Sequence, residues 1–155
     1  MPDAHGIRRA GPADAAAAGR LLHDFNVEFD APAPPPEWLA ARVLELLADG
    51  RTVVLLAGAG PDGIAVLRFR PALWTDASEC HLQELYVVPG RRGQGLGRAL
   101  GEAVLATARA EGADYVDVAT SEDDAVARAL YERLGFHNRE GGPDGPIAYH
   151  YERDV

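Results

Sequence analysis

The densest chemistry in the chain lies between Glu84 and Arg98, in the run Glu-Leu-Tyr-Val-Val-Pro-Gly-Arg-Arg-Gly-Gln-Gly-Leu-Gly-Arg. An apolar strand pattern enters a glycine-rich turn, and the turn opens a helix. Such a turn aims successive backbone N–H groups at one point, and the positive end of the helix dipole adds to them. Gly93, Gly95 and Gly97 let an anion approach the backbone closely. Arg91, Arg92 and Arg98 bring positive charge to the same place. The expected ligand carries phosphate. The nucleotide P-loop pattern requires Gly-Lys-Ser/Thr, and the chain has no lysine. The dinucleotide pattern G-x-G-x-x-G also fails, because its third glycine falls on Arg98 or on Leu100. Asp117, about twenty residues on, matches that pattern's acidic position by itself.

The elements that must position this loop are legible in the pattern. Ile7–Ala10 reads as a short strand, and Asp14 caps a helix over Ala15–Phe25. Asp30–Pro36 is proline-rich and must be a loop. Glu37–Ala48 returns to helix, with Leu39, Val43, Leu46 and Leu47 on one face. Thr52–Ala57 and Ile64–Phe69 form a hairpin, Cys80–Val88 a third central strand, and Gly95–Glu111 a helix. Tyr115–Ala119 is a strand. Ser121 opens a capping-box-like Ser-x-x-Asp before a helix that runs to Leu134 and stops at Gly135. Phe136–Arg139 and Ile147–Glu152 are expected strands around the turn Gly141–Gly145. Hairpins mixed with helical crossovers predict an α/β (α+β mixed) fold. Its mixed central sheet has six to seven strands, with about four helices on both faces.

The chain has 155 residues, which is the length of one domain. It carries 15 basic and 24 acidic residues, a formal net charge of −9. Every basic residue is arginine. Such a surface disfavours nucleic acid as a partner and favours a cationic one. A single cysteine, Cys80, excludes an internal disulfide framework and a cysteine-rich zinc site, and no metal is expected. No apolar run reaches the roughly 18 residues of a membrane span. The first ten residues contain no apolar signal core, so the expected compartment is the cytoplasm.

Two motifs together resemble a known family. Arg92-x-x-Gly95-x-Gly97, after the strand ending Leu-Tyr-Val-Val-Pro, is similar to motif A of the GCN5-related N-acetyltransferases. Ala127-Arg-Ala-Leu-Tyr131-Glu-Arg-Leu-Gly-Phe136 is similar to their motif B, and the element order is the family's order. The resemblance covers nearly the whole chain, 1–155, as a single domain. One position departs from it: Asp124 stands where the family often has an asparagine, three residues before the motif's alanine. That puts an amide contact to the cofactor in doubt, and Asp124 could equally serve the first turn of its helix.

The resemblance implies an acetyl-CoA-dependent N-acetyltransferase in which a primary amine attacks directly, with no covalent enzyme intermediate. The loop Arg92, Gly93, Gln94, Gly95, Gly97, Arg98 then cradles the pyrophosphate of acetyl-CoA. The strand Leu85, Tyr86, Val87 lies along the pantetheine arm, where its backbone N–H groups can polarise the thioester carbonyl. Cys80 is not needed as a nucleophile and reads as a small core residue. An alkyl amine has a pKa near 10.4, so only about 0.04% is free base at neutral pH, and the chemistry needs a base. Glu84 is the candidate base, with His81 in reserve on the opposite face unless the strand bulges. Tyr131 is the candidate acid for the departing thiolate.

In this fold the acceptor pocket is built from the two N-terminal helices and their loop, here with Asp24, Phe25, Glu28, Phe29 and Asp30. Trp74 and Asp76 are expected on an opposite wall. Aromatic faces with carboxylates suit an ammonium group, hence a small cationic amine or a peptide amine. A homodimer is common in the family. The alternative is a non-catalytic acyl-CoA-binding sensor or scaffold of the same fold, against which Glu84 and Tyr131 argue.

Overall fold

The structure, a computed structural model, describes residues 5–155. The chain divides into two compact units, one ending at Val118 and one running over Ala119–Val155.

The first unit is a five-stranded sheet in the order β1-β2-β3-β4-β5, with β1 Arg8–Arg9, β2 Thr52–Ala57, β3 Gly63–Pro71, β4 Ser78–Val87 and β5 Ala113–Val118. The first three neighbouring pairs are antiparallel and β4–β5 is parallel. Helices α1 (Ala15–Glu28) and α2 (Pro36–Ala48) cover one face. Ala18 and Leu21 of α1 and Val43 of α2 pack there with Val54, Leu56, Ile64, Val66 and Tyr86. The alternate residues Val53, Leu55, Ala65, Leu67, Cys80 and Leu82 are also buried. They face the other way, as strand alternation requires, toward Leu96, Leu100 and Val104 of α3 (Leu96–Ala110). The two N-terminal helices touch closely at Gly19, where a Cβ would come within 2.6 Å of the Pro36 carbonyl oxygen.

Two local expectations are corrected here. Helix α1 runs on to Glu28, because nothing breaks it until Asp30, which adopts φ +53°. Asp14 does not cap α1 with its side chain. Its carboxylate instead accepts from the Arg8 guanidinium at 2.7 and 2.9 Å and from Gly11 N–H at 2.9 Å.

The second unit holds α4 (Ala125–Arg133) and a C-terminal segment. The N-cap of α4 is Asp124, not Ser121: its carboxylate accepts from Ala127 N–H at 3.0 Å. The helix ends at Gly135, φ +92°, with Phe136 N–H returning to the Tyr131 carbonyl at 2.9 Å. The two strands expected after it shrink to one antiparallel bridge, Arg139↔Ile147. The sheet therefore has five strands, not six to seven. The cause is local. His137–Glu140 has no apolar face, Pro146 lacks an N–H for a ladder, and Tyr149 and Tyr151 are exposed, so no burial holds a strand there.

Candidate functional site

The site starts with an irregularity in β4. The β3–β4 register steps from Val66↔Glu84 to Leu67↔Leu82 and leaves Gln83 unmatched. One extra residue is a bulge, and it reverses which side the following residues face. Glu84 therefore lies on the same face as His81, whose β3 partner is Arg68. A regular strand would have set them on opposite faces, so the bulge corrects that expectation. Burial raises the Glu84 carboxyl above its usual range, and positive charge on His81 opposes the rise.

His81 is itself held. In the sheet it stands between Arg68 on β3 and Asp117 on β5. Its Nδ1 is 2.9 Å from Asp117 Oδ1. A carboxylate only accepts, so Nδ1 carries the proton, and Nε2 is the acceptor of the neutral ring. Cys80, next to it, faces the opposite way and is fully buried. Burial and the Asp117 charge push its thiol up to about 11. It is a core residue, not a nucleophile.

Beyond this point the sheet opens. The β4–β5 ladder ends at Leu82↔Val118, while Glu84–Val87 stays paired with β3 alone. On the β5 side the backbone of Gln83, Glu84, Leu85, Tyr86 and Val87 has no ladder partner among the described residues. The same strand leads through the turn Pro89–Arg91 into Gly93 and Gly95, at φ +73° and +83°, where α3 begins. Only glycine adopts such angles without strain. Among the described residues no side chain caps α3, so the first N–H groups of the helix, including that of Gly97, have no intrahelical partner. A Cβ at Gly93 would meet no atom within 4 Å, so the backbone there is open to a ligand.

The loop arginines are largely occupied. Arg91 pairs with Asp62 at 2.7 Å and donates to Gln94 Oε1 at 3.1 Å. Arg92 pairs with Glu28 at 2.7 Å and donates from Nε to the Val87 carbonyl at 3.0 Å. Arg98 pairs with Glu102 at 3.1 Å. Attraction for phosphate thus rests mainly on backbone N–H groups and the helix end. These features fit the diphosphate and extended arm of a coenzyme A thioester: an open N–H cradle, and an open strand edge leading into it.

At the end of α1, Phe25 lies 5.1 Å from the rings of both Phe29 and Tyr86. Tyr86 is only 4% exposed, and its hydroxyl donates to Glu28 at 3.2 Å. Its phenol is raised by burial and by the Glu28 charge. Glu28 is therefore a strut between α1, Tyr86 and Arg92 more than a free acid. Trp74 lies elsewhere, in the β3–β4 connection before Ser78, and is 88% exposed. The structure brings Phe25, Glu28, Phe29, Tyr86 and Arg92 together and leaves Trp74 at the other end of β4. In the second unit, Tyr131 is partly buried, with its ring 5.7 Å from Phe136. Arg68 carried no motif, and Asp117 entered only through the failed dinucleotide pattern. The signal for Arg68 was its alternation with Arg70 at the end of an otherwise apolar strand.

A parallel strand pair that splays apart beside a glycine-rich helix entry defines a mixed α/β protein with an open strand edge running into a helix N-terminus. Residues 19–136 match the acetyltransferase (GNAT) family, and the chain belongs to that family. A crystal structure from Arthrobacter sp. FB24, assigned as an acetyltransferase, superposes with a TM-score of 0.85 at 47% identity over 95% of this chain and 94% of that one. An aminoglycoside N(6')-acetyltransferase type 1 from Stenotrophomonas maltophilia is 33% identical over 86% of this chain and 87% of its own. A mycothiol acetyltransferase from Beutenbergia cavernae is 41% identical over 87 residues. That match spans 54% of this chain and 27% of the relative, so the chain corresponds to about a quarter of that longer protein.

Proposed function

We propose that this chain transfers the acetyl group of acetyl-CoA to the primary amine of a small molecule that arrives as an ammonium ion, by direct attack. The observation that carries the reading is the opening of β4 from β5 after Leu82↔Val118, with Glu84 at its start and the Gly93–Arg98 helix entry at its end. Bound there, acetyl-CoA supplies the activated acetyl group. The N–H groups of Gly93–Arg98 hold the diphosphate, and the backbone of Leu85, Tyr86 and Val87 orients the arm, with the Val87 carbonyl already held by Arg92. Glu84, its carboxyl raised by burial, takes the proton of the ammonium group directly or through water. A carbon–nitrogen bond then forms as the carbon–sulfur bond breaks. Tyr131 releases its hydroxyl proton toward the departing sulfur, a role that rests on its motif position, and is reprotonated through water by the second proton that the nitrogen sheds as the amide forms. Both units act as one catalytic domain in this reading, supported by a family match that runs from residue 19 to residue 136.

A second reading places the base at His81, favoured by the Asp117 contact that leaves Nε2 as an acceptor. The test of the function is incubation with acetyl-CoA and a panel of amines, with product followed on the amine by mass spectrometry. Acetylated amine is the expected outcome. Thiol release that is the same with and without amine would show hydrolysis only and reject the proposal.

A further inference from the structure

On the α1–α2 face of the sheet, a cavity of about 300 Å³ is lined by Arg68, Arg70, Glu79, His81, Gln83 and Asp117. Both of its carboxylates already have a close partner. Arg70 holds Glu79 at 2.7 Å and His81 holds Asp117 at 2.9 Å. Arg68 has no ion pair among the described residues. Its single hydrogen bond runs from NH1 to the neutral Gln83 side-chain oxygen at 3.2 Å, and its Nε is buried without a partner. A guanidinium is always charged, and its planar fork matches a carboxylate. Partial burial of such a group without an anion is costly. In a chain of net charge −9, an arginine without an ion pair, beside one carboxylate held by Arg70 and another held by the His81 Nδ1–H, marks a place for an anion from outside.

We propose that this cavity is the acceptor subsite and that Arg68 binds a carboxylate of the substrate, so the amine substrate is a small amino carboxylate. The inference rests on the acetyltransferase reading above. Arg68 stands in register with His81, and Glu84 with Val66, two residues along β3 on the same face. That separation is roughly 7 Å along the strand, a span that suits a compact molecule with its ammonium toward Glu84 and its carboxylate toward Arg68. The aminoglycoside relative is named for an acceptor of different chemistry, and the Arg68 subsite would separate the two specificities.

The experiment compares matched acceptors: L-phenylalanine with phenethylamine, L-methionine with 3-methylthiopropylamine and L-lysine with cadaverine, together with each amino acid's amide. The fastest acceptor should carry the carboxylate and exceed its decarboxylated partner by about 10- to 100-fold in kcat/KM, with the difference in KM. Arg68→Gln should erase that preference. Arg68→Lys keeps the charge but not the fork and should retain part of it. Melting temperatures of both variants confirm that they fold. The assignment is overturned if carboxylate-free amines react as well or better, if no carboxylate-bearing amine reacts, or if Arg68→Gln keeps the preference. Acetylation of the other amines would then leave the acetyltransferase reading standing. No acetylated amine at all, with no thermal stabilisation by acetyl-CoA, would sink that reading itself.

Discussion

Glu84 illustrates how a side chain's usefulness and its cost come from the same burial. Because the folded state raises its carboxyl above the usual 4.5, the folded protein binds that proton more tightly than the unfolded chain does. The associated stability is present below the unfolded value and is lost as pH rises through the folded one. Glu84→Gln removes the buried charge. It should therefore raise the melting temperature above that window and leave it unchanged below, as read by thermal melts across pH. The same variant should lose about 10²–10⁴-fold in rate at neutral pH, with partial recovery at high pH, where more amine is free. A wild-type pH profile in the variant would move the base to His81 or to bulk water. For Tyr131→Phe we expect a loss of the same order in kcat with acetyl-CoA affinity retained, since the ring packing survives; full activity would leave Tyr131 a packing residue. Both candidates stand at positions that the two motifs mark in the sequence. The Arg68–His81–Asp117 row was not legible there, because it depends on the register of three strands, and the side Glu84 shares with His81 depends on a bulge that no residue pattern around Gln83 announces.

At the scale of elements, the loop between β4 and α3 is the part the sequence describes best. Its glycines are there for angles and access: the angles are observed at Gly93 and Gly95, and the open access at Gly93, while the His5 ring lies beside Gly95. Gly95→Val puts a β-branched residue at φ +83°, a strain of roughly 1–2 kcal/mol or more, and puts a side chain against the phosphate cradle. The variant should melt lower and lose the stabilisation by acetyl-CoA in a thermal-shift assay; full retention of that shift would take the ligand away from this loop. The arginines around it were harder to read. Charge in a motif suggests ligand contact, yet Arg92 ties Glu28 of α1 to the Val87 carbonyl of β4, and only the extension of α1 to Glu28 makes that tie available. The acidic side chains around Phe25 suggest an ammonium site, yet Glu28 is held by the Tyr86 hydroxyl and the Arg92 guanidinium. The C-terminal strands failed for the opposite reason: alternation was present in Ile147–Glu152, but alternation forms a strand only where one side is covered.

At the scale of the whole molecule, ligand binding and stability are one equilibrium. Acetyl-CoA at 100 times its dissociation constant should stabilise the protein by about 2.7 kcal/mol, visible as a raised melting temperature. An unchanged melting temperature with acetyl-CoA, alongside a rise with another nucleotide, would contradict the family's ligand for this chain. The open side of β4 also bears on the protein's behaviour as a colloid. Where Gln83–Tyr86 runs past the end of β5, with no ladder partner on that side among the described residues, the chain presents backbone donors and acceptors that an extended peptide can dock against, another copy's strand included. Coenzyme A that lies along this edge would act as a chaperone toward its own enzyme, so turbidity on warming below the melting point should rise in ligand-free samples and be suppressed by coenzyme A without any amine present.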